Sequence, residues 1–162
     1  MRWGHEAVID CPRRGRFIER IVQGAFTEAI AVGTVELWID HDHKRGCAAH
    51  QADGSLVLVE DGVGLWFEAS IPSTPDGDDA LRLARGAGYR GCSVGMRDVK
   101  ANWVDGVRTI ISAGLREISI CRRGAYPTSV VAAGALRIAE LQKQRRLERL
   151  AAAGAGRGTC DR

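Results

Sequence analysis

The sequence lacks long apolar runs, and it lacks a strong excess of one charge. Its longest apolar runs are far too short to span a bilayer. Apolar residues make up 45% and charged residues 27% of the 162 residues, which is typical of a soluble globular domain and excludes a wholly disordered chain. The first residues, MRWGHEAVIDCPRRGR, contain no apolar core and no small-residue cleavage site, so we expect no secretory signal and a cytoplasmic origin.

Cysteine pairs and a basic body are also missing. The five cysteines are an odd number without pairwise spacing, so we expect reduced thiols. The net charge of +3 lies at one end: residues 137–162 carry seven Lys/Arg and three Asp/Glu, which leaves a net of −1 for residues 1–136. A near-neutral body argues against a nucleic-acid partner.

Short β-type runs fill most of the chain between Arg16 and about Ile120. Glycines separate them, and the pairs Asp61-Gly62 and Asp105-Gly106 predict two hairpins. Six or more short strands in this length predict a barrel or a sandwich decorated by helices. The fold class that we expect is α+β, mainly β.

Two elements have sharper predictions. Residues Thr34–His43 alternate, which places His41 and His43 on the same strand face as the apolar side chains before them. Residues Ala80–Arg85 read as a short helix that follows a polar loop, Pro72–Asp79, and that is stopped by a glycine. From residue 132 to 153 nearly every residue is a good helix former.

A GAGYRG motif at Gly86–Gly91 satisfies the dinucleotide-binding pattern GxGxxG. That pattern binds pyrophosphate only where it follows a strand and opens a helix. Here it follows a helical run and precedes a strand, so we interpret it as a glycine turn and expect no cofactor.

A cluster of ligand-capable side chains occurs in HDHKRGCAAH. Its four members lie within ten residues, a spacing that zinc could accept: His41, His43, Cys47 and His50. Structural zinc sites usually draw ligands from two knuckles, and no second cluster occurs. A small zinc-binding domain therefore stays an alternative, and we expect no metal.

The GCSVG motif, Gly91–Gly95, fits the GxSxG pattern of serine hydrolases. In α/β-hydrolases the serine precedes the histidine and a helix follows it, whereas all four histidines here precede Ser93. A Ser/His pair remains feasible because such devices recur in several chain orders. Glu117 shares a strand face with Ser119 and could orient a histidine or pair with a neighbouring arginine. Cys92 is a rival nucleophile, but on a strand it faces the side opposite to Ser93, so only one of the two can meet a histidine.

Five elements in this order resemble the prohead (capsid maturation) protease family of tailed bacteriophages and prophages. They span about 115 residues: RFIERIVQGAF (16–26), VELWIDHDHKRG (35–46), GLWFEASIPSTPDGDDAL (64–81), GYRGCSVGM (88–96) and LREISICRRGAYPTSV (115–130). The chain departs from the family pattern at residues 124–127, where Gly-Ala-Tyr-Pro replaces a Pro-Ala-Asn-Pro type run.

The resemblance implies a serine endopeptidase with a herpesvirus-assemblin-like β-barrel surrounded by helices. It assigns Ser93 as the nucleophile, His41 as the base, with His43 as the alternative, and Glu117 as the third member. The backbone N–H of Arg122 or Arg123 would serve as oxyanion donor. From the composition of the C-terminal part, we expect the chain to divide into a protease domain at residues 1–134, a basic helical extension at 135–153 and a flexible tail at 154–162.

The implied substrates are the major capsid protein, a scaffold protein and the protease itself. The resemblance places the protein in the host cytoplasm, inside the procapsid, with no membrane and no required nucleic acid, and it allows a homodimer. The alternative is a procapsid assembly module with a secondary or inactive protease site. Its basic C-terminal helix, through Arg145, Arg146 and Arg149, would then dock on scaffold.

Overall fold

The computed structural model describes residues 1–86 and 88–131. Eight strands and two helices form in these residues. In chain order they are β1 (Glu6–Cys11), β2 (Gly15–Ile21), α1 (Thr27–Val32), β3 (Glu36–Ile39), β4 (Ala49–His50), β5 (Leu56–Glu60), β6 (Leu65–Ala69), α2 (Pro75–Arg85), β7 (Gly91–Val104) and β8 (Val107–Cys121). The expected helical extension and tail, residues 135–162, lie outside the described residues.

Strand β8 is the centre of the six-stranded main sheet. β7 runs antiparallel to it from the turn at Asp105 to the end of the strand. On the other edge, β2 pairs in parallel with Val107–Ile110 and β3 pairs in parallel with Glu117–Ile120. β1 and β4 then pair with β2 and β3, and β5 and β6 form a separate two-stranded sheet.

The expectation of a mainly β fold with few helices is confirmed, but the sheet is not closed into a barrel within the described residues. β2 and β3 share successive stretches of one edge of β8, so the sheet branches at this strand. β1 and β4 each pair with one neighbour and leave the two ends of the path apart.

The two predicted hairpins form as expected. β5 and β6 are joined through Asp61-Gly62, and β7 and β8 through Asp105-Gly106, whose φ angles are 47° and 77°. Positive φ at both central positions suits the twist of a tight hairpin, and Asp-Gly tolerates it. The long β7–β8 hairpin is therefore specified locally by its turn.

The second helix begins five residues before the predicted Ala80, at Pro75. The Oγ1 of Thr74 accepts a hydrogen bond of 3.1 Å from Gly77 N–H and so caps the helix, and Pro75 occupies the first helical position, where no N–H is needed. The part of the predicted polar loop from Pro75 onward is thus the start of α2. Neither described helix is long and apolar enough to cross a membrane.

One apolar core connects the main sheet with both helices and with the β5–β6 hairpin. Its side chains of lowest exposure come from β2, β3, β5 and β8 and from the segments beside α1. They include Ile21, Phe26, Val35, Leu37, Leu56, Ile110 and Ile118. This packing fixes the carboxyl end of β8, where the candidate residues lie.

Candidate active site

A turn carries the two candidate histidines, not the strand that the sequence predicts. β3 ends at Ile39, because Asp40 and His41 adopt positive φ angles of 51° and 56°. Aspartate and histidine are among the few side chains that enter this region at modest cost. The N–H of Asp40 donates to the carbonyl of Ile120 at 2.9 Å, so the turn is attached to β8. The prediction of a strand through His43 is therefore wrong.

The carboxylate of Glu117 lies between the two imidazoles of this turn. Glu117 is 2% exposed. Its Oε1 contacts Nδ1 of His41 in a short hydrogen bond. Its Oε2 lies 2.9 Å from Nε2 of His43, within ion-pair distance, but no aligned hydrogen bond reaches this oxygen from the described residues. His41 therefore makes the directed contact, and His43 adds a charge contact when it is protonated.

Gly95 gives the Glu117 side chain its space. The two residues are directly opposite each other in the β7–β8 pair. A Cβ atom at Gly95 would lie 2.5 Å from Cγ and 2.8 Å from Cδ of Glu117, closer than real contacts of this kind. The second glycine of GCSVG therefore has a steric reason to be glycine: the buried glutamate crosses over it.

Ser93 lies on the same face of the β7–β8 hairpin as Glu117. It is opposite Ser119, two pairs along from the Gly95–Glu117 pair, and residues two apart in a strand and paired residues of antiparallel strands share a face. The hydroxyl of Ser119 accepts a hydrogen bond of 2.8 Å from the backbone N–H of His41. No hydrogen bond joins Ser93 to either imidazole in the described part of the chain. The sheet thus places Ser93 and Glu117 on one face, and the turn after β3 brings His41 to Glu117.

Cys92 occupies the opposite face, as the alternation along β7 predicts. Its side chain is buried in the core, 7% exposed. Burial raises the pKa of its thiol to about 12. A thiol with that pKa is protonated at neutral pH and is a poor nucleophile. The rival assignment of Cys92 therefore has no chemical support from its surroundings.

The segment that follows β8 runs beside the beginning of β7. Cys92 N–H donates to the carbonyl of Ser129 at 3.0 Å, and Gly91 forms a bridge with Val130. A Cβ atom at Gly91 would lie 2.4 Å from the nitrogen of Gly124. The backbone just before Ser93 and the segment after β8 are thus in direct contact. Arg122 and Arg123, the candidate oxyanion donors, precede Gly124 in this segment.

A tyrosine that the sequence does not single out joins the two sides of the site. The hydroxyl of Tyr89 donates to a carboxylate oxygen of Asp40 at 2.5 Å. The guanidinium of Arg122 lies over its ring, 5.1 Å from the centroid. Tyr89 therefore connects the turn of His41 with the segment after β8. Only its place within GYRGCSVGM could have indicated this position.

The remaining members of the predicted zinc cluster do not join this group. Nε2 of His50 lies 3.5 Å from Glu36, and its Nδ1 accepts a hydrogen bond of 2.9 Å from Ala52 N–H. Burial raises the pKa of the Cys47 thiol, with the nearby Glu36 charge acting in the same direction. Within the described ranges no group of three or more His, Cys, Asp or Glu side chains is placed to hold a metal ion. The four described cysteines form no disulfide.

Comparison of the sequence with models of protein families gives a match. The family model described as caudovirus prohead serine protease matches residues 4–144, most of the chain. The chain belongs to this prohead serine protease family. No curated protein and no solved structure gives a significant match. The family consists of serine peptidases of capsid maturation, so the match supports a peptidase in general and implies capsid proteins as the class of substrate.

Proposed function

We propose that the protein is a serine endopeptidase in which Ser93 is the nucleophile, His41 is the base and Glu117 orients the base. The directed contact of a buried Glu117 oxygen with Nδ1 of His41 is the observation that carries the proposal. It leaves Nε2 of His41 free for a serine hydroxyl, which is the division of labour in a serine protease triad. Serine needs such a base because its hydroxyl is a weak nucleophile at neutral pH.

His41 takes up and gives back the proton in each step of this mechanism. Nε2 of His41 takes the hydroxyl proton while Oγ of Ser93 bonds to the peptide carbonyl carbon, and the Glu117 carboxylate stabilises the imidazolium. His41 then protonates the departing amine, and the C–N bond breaks to leave an acyl-serine. A water molecule then gives a proton to His41 as its oxygen bonds to the ester carbonyl carbon. The bond from this carbon to Ser93 Oγ breaks, and His41 returns the proton to Oγ, which releases the acid and restores Ser93.

His41 is preferred to His43 for the base on two grounds. Its backbone N–H is attached to Ser119, which is the residue opposite Ser93. His43 turns Nε2 toward Glu117, and its ring packs edge-on against Trp38, 4.7 Å between centroids. The nitrogen that usually acts as base is thus occupied in His43 and available in His41.

The oxyanion of the tetrahedral intermediate would form beside the segment after β8. The backbone N–H groups of Arg122 and Arg123 are our candidates for its donors, because this segment contacts β7 one residue before Ser93. The position of these backbone N–H groups, and not the arginine side chains, would stabilise the oxyanion. The substrates that we propose are the scaffolding segment of the major capsid protein, a scaffold protein and the protease itself, inside the procapsid.

Co-expression with the capsid protein tests the proposal. Ser93→Ala should abolish removal of the scaffolding segment, because no nucleophile remains. Cys92→Ala is the matched control, since it alters the neighbouring side chain on the opposite face and should retain processing. Continued processing by Ser93→Ala, or its loss in Cys92→Ala with folded protein, would overturn the assignment.

Separate substitutions distinguish the two histidines. We expect His41→Ala to lose processing by at least a thousandfold, and His43→Ala to keep measurable activity, because only His41 exchanges the proton with Ser93. The cleavage rate on capsid protein is the measurement. Equal residual activity of the two variants would refute the choice of His41.

A further inference from the structure

The segment after β8 has a buried attachment in its second half. Tyr126 is 4% exposed. Its hydroxyl donates to Oε1 of Glu19 at 2.9 Å. The second oxygen of that carboxylate accepts from Nη1 of Arg108 at 3.1 Å. Glu19 and Arg108 are directly paired in the parallel β2–β8 register, and Glu19 is itself 3% exposed.

Each oxygen of this buried carboxylate therefore has one partner. A buried carboxylate that loses a partner is costly, so the phenol hydroxyl has a strongly preferred position. β2 and β8 hold the acceptor, because both Glu19 and Arg108 belong to the sheet. The Tyr126 ring is thus a fixed point in a segment that otherwise has no helix or strand.

The fixed point is close to the candidate oxyanion donors along the chain and in space. Ser129 N–H donates to the Tyr126 carbonyl at 3.0 Å, and the Ser129 carbonyl accepts from Cys92 N–H at 3.0 Å. On the other side, Gly124 packs on the Cys92 backbone so closely that a Cβ atom at Gly124 would lie 2.2 Å from the Cys92 carbonyl oxygen. Any movement of Tyr126 therefore reaches both the donor segment and the strand of Ser93.

We propose that Tyr126, held by Glu19 and Arg108, is a positioning residue that sets the backbone at Arg122–Gly124 against β7 and so determines stabilisation of the oxyanion. The proposal rests on the proposed function for its effect on catalysis. Tyr126 makes no contact with the reacting atoms and acts through the backbone. Substrate binding away from the reacting carbonyl should be unaffected.

Labelling by an alkyl fluorophosphonate measures this effect, because the phosphoryl oxygen is stabilised as the oxyanion would be. Tyr126→Phe removes the hydroxyl and keeps the buried ring. We expect it to lower the maximal labelling rate about tenfold and to change the half-saturating probe concentration less than twofold. Glu19→Gln keeps an acceptor for the phenol, so it should retain more of the rate than Tyr126→Phe.

Hydrogen exchange provides a readout that does not depend on activity. In Tyr126→Phe the amides of residues 122–129 should exchange at least ten times faster, while those of β5 and β6 keep their rates. Ser55→Ala is the control: it removes a hydroxyl that accepts from His50 N–H at 2.8 Å outside this segment, and it should lower stability without changing the labelling rate.

Three outcomes overturn the inference. They are an unchanged labelling rate in Tyr126→Phe, a change confined to the half-saturating concentration, or unchanged exchange of residues 122–129. If the wild-type protein is not labelled at Ser93, the proposed function fails, and hydrogen exchange still decides whether Tyr126 anchors the segment.

Discussion

Gly95 determines whether Glu117 can lie where both imidazoles reach it. The absence of a side chain at this position lets the glutamate cross β7, since a Cβ atom would lie 2.5 Å from Glu117 Cγ. A side chain at this position would therefore displace the carboxylate or the backbone of β7. Packed interiors tolerate such an addition only with side-chain or backbone shifts.

Gly95→Ala should therefore reduce proteolysis by at least a hundredfold and lower the free energy of unfolding by about 1–3 kcal/mol. Cleavage of capsid protein and urea unfolding measure the two effects. Gly62→Ala is the control, because a Cβ atom there meets nothing within 4 Å. Wild-type cleavage by Gly95→Ala would show that the position of Glu117 does not matter for the reaction.

Replacement of the Glu117 carboxylate tests its charge separately from its size. Glu117→Gln keeps the shape but removes the charge that stabilises the His41 imidazolium, and its amide can hold the wrong tautomer. We expect kcat to fall by on the order of 10³, with KM changed little. Steady-state cleavage kinetics measure this. A kcat within tenfold of the wild-type value would exclude Glu117 as the orienting group.

At the level of elements, the sequence predicts the β-rich pattern, both Asp-Gly hairpins and the common face of Ser119 and Glu117. It does not predict where β3 ends. The alternation continues through His43, but the chain leaves the strand at Asp40, where the turn adopts positive φ and the next N–H, that of His41, donates to the hydroxyl of Ser119. That exit depends on long-range contacts with β8, which periodicity does not contain.

The start of α2 was missed for a local reason. Pro72–Asp79 is rich in turn-forming residues, yet Thr74 followed by Pro75 is a start signal for a helix. The turn-forming residues favour a loop in the sequence-based prediction, although Thr74-Pro75 indicates the start of a helix. The hydrogen bonds of Tyr126 and Arg108 to Glu19 could not be predicted either, because these residues are far apart in the sequence.

Thr74→Ala should destabilise the protein by about 1 kcal/mol, because it removes the hydroxyl that caps Gly77 N–H. Thr74→Ser should restore most of the loss. Urea unfolding of the two variants measures the difference. An equal loss in both would mean that packing of the threonine methyl group, not capping, stabilises the start of α2.

For the whole molecule, the burial of a thiol and a phenol hydroxyl predicts that the free energy of unfolding decreases at alkaline pH. Burial raises the pKa of Cys92 from its ordinary 9.0 to about 12. Burial and the neighbouring Glu19 raise the pKa of Tyr126 as well. These groups stay protonated in the folded state when they would ionise in the unfolded chain. The contribution of Cys92 is complete below pH 9 and falls as pH rises through 9 to 12, and that of Tyr126 begins to fall only near its ordinary pKa of 10.0.

We therefore expect the free energy of unfolding to fall between pH 8 and pH 10.5, with Cys92 contributing about 2 kcal/mol of the decrease. Cys92→Ala should remove that part of the pH dependence. Urea unfolding at both pH values measures it. An identical decrease in the wild-type protein and in Cys92→Ala would show that another group is responsible.

Covalent labelling tests the central claim of a Ser93–His41–Glu117 site most directly. The wild-type protein is treated with a fluorophosphonate at neutral pH, and the modified residue is located by mass spectrometry of its peptides. If Ser93, His41 and Glu117 form the site, we expect a single label on Ser93. This label should be absent from His41→Ala and retained by Cys92→Ala. A label on another residue, or labelling of Ser93 that persists at the same rate without His41, would contradict it.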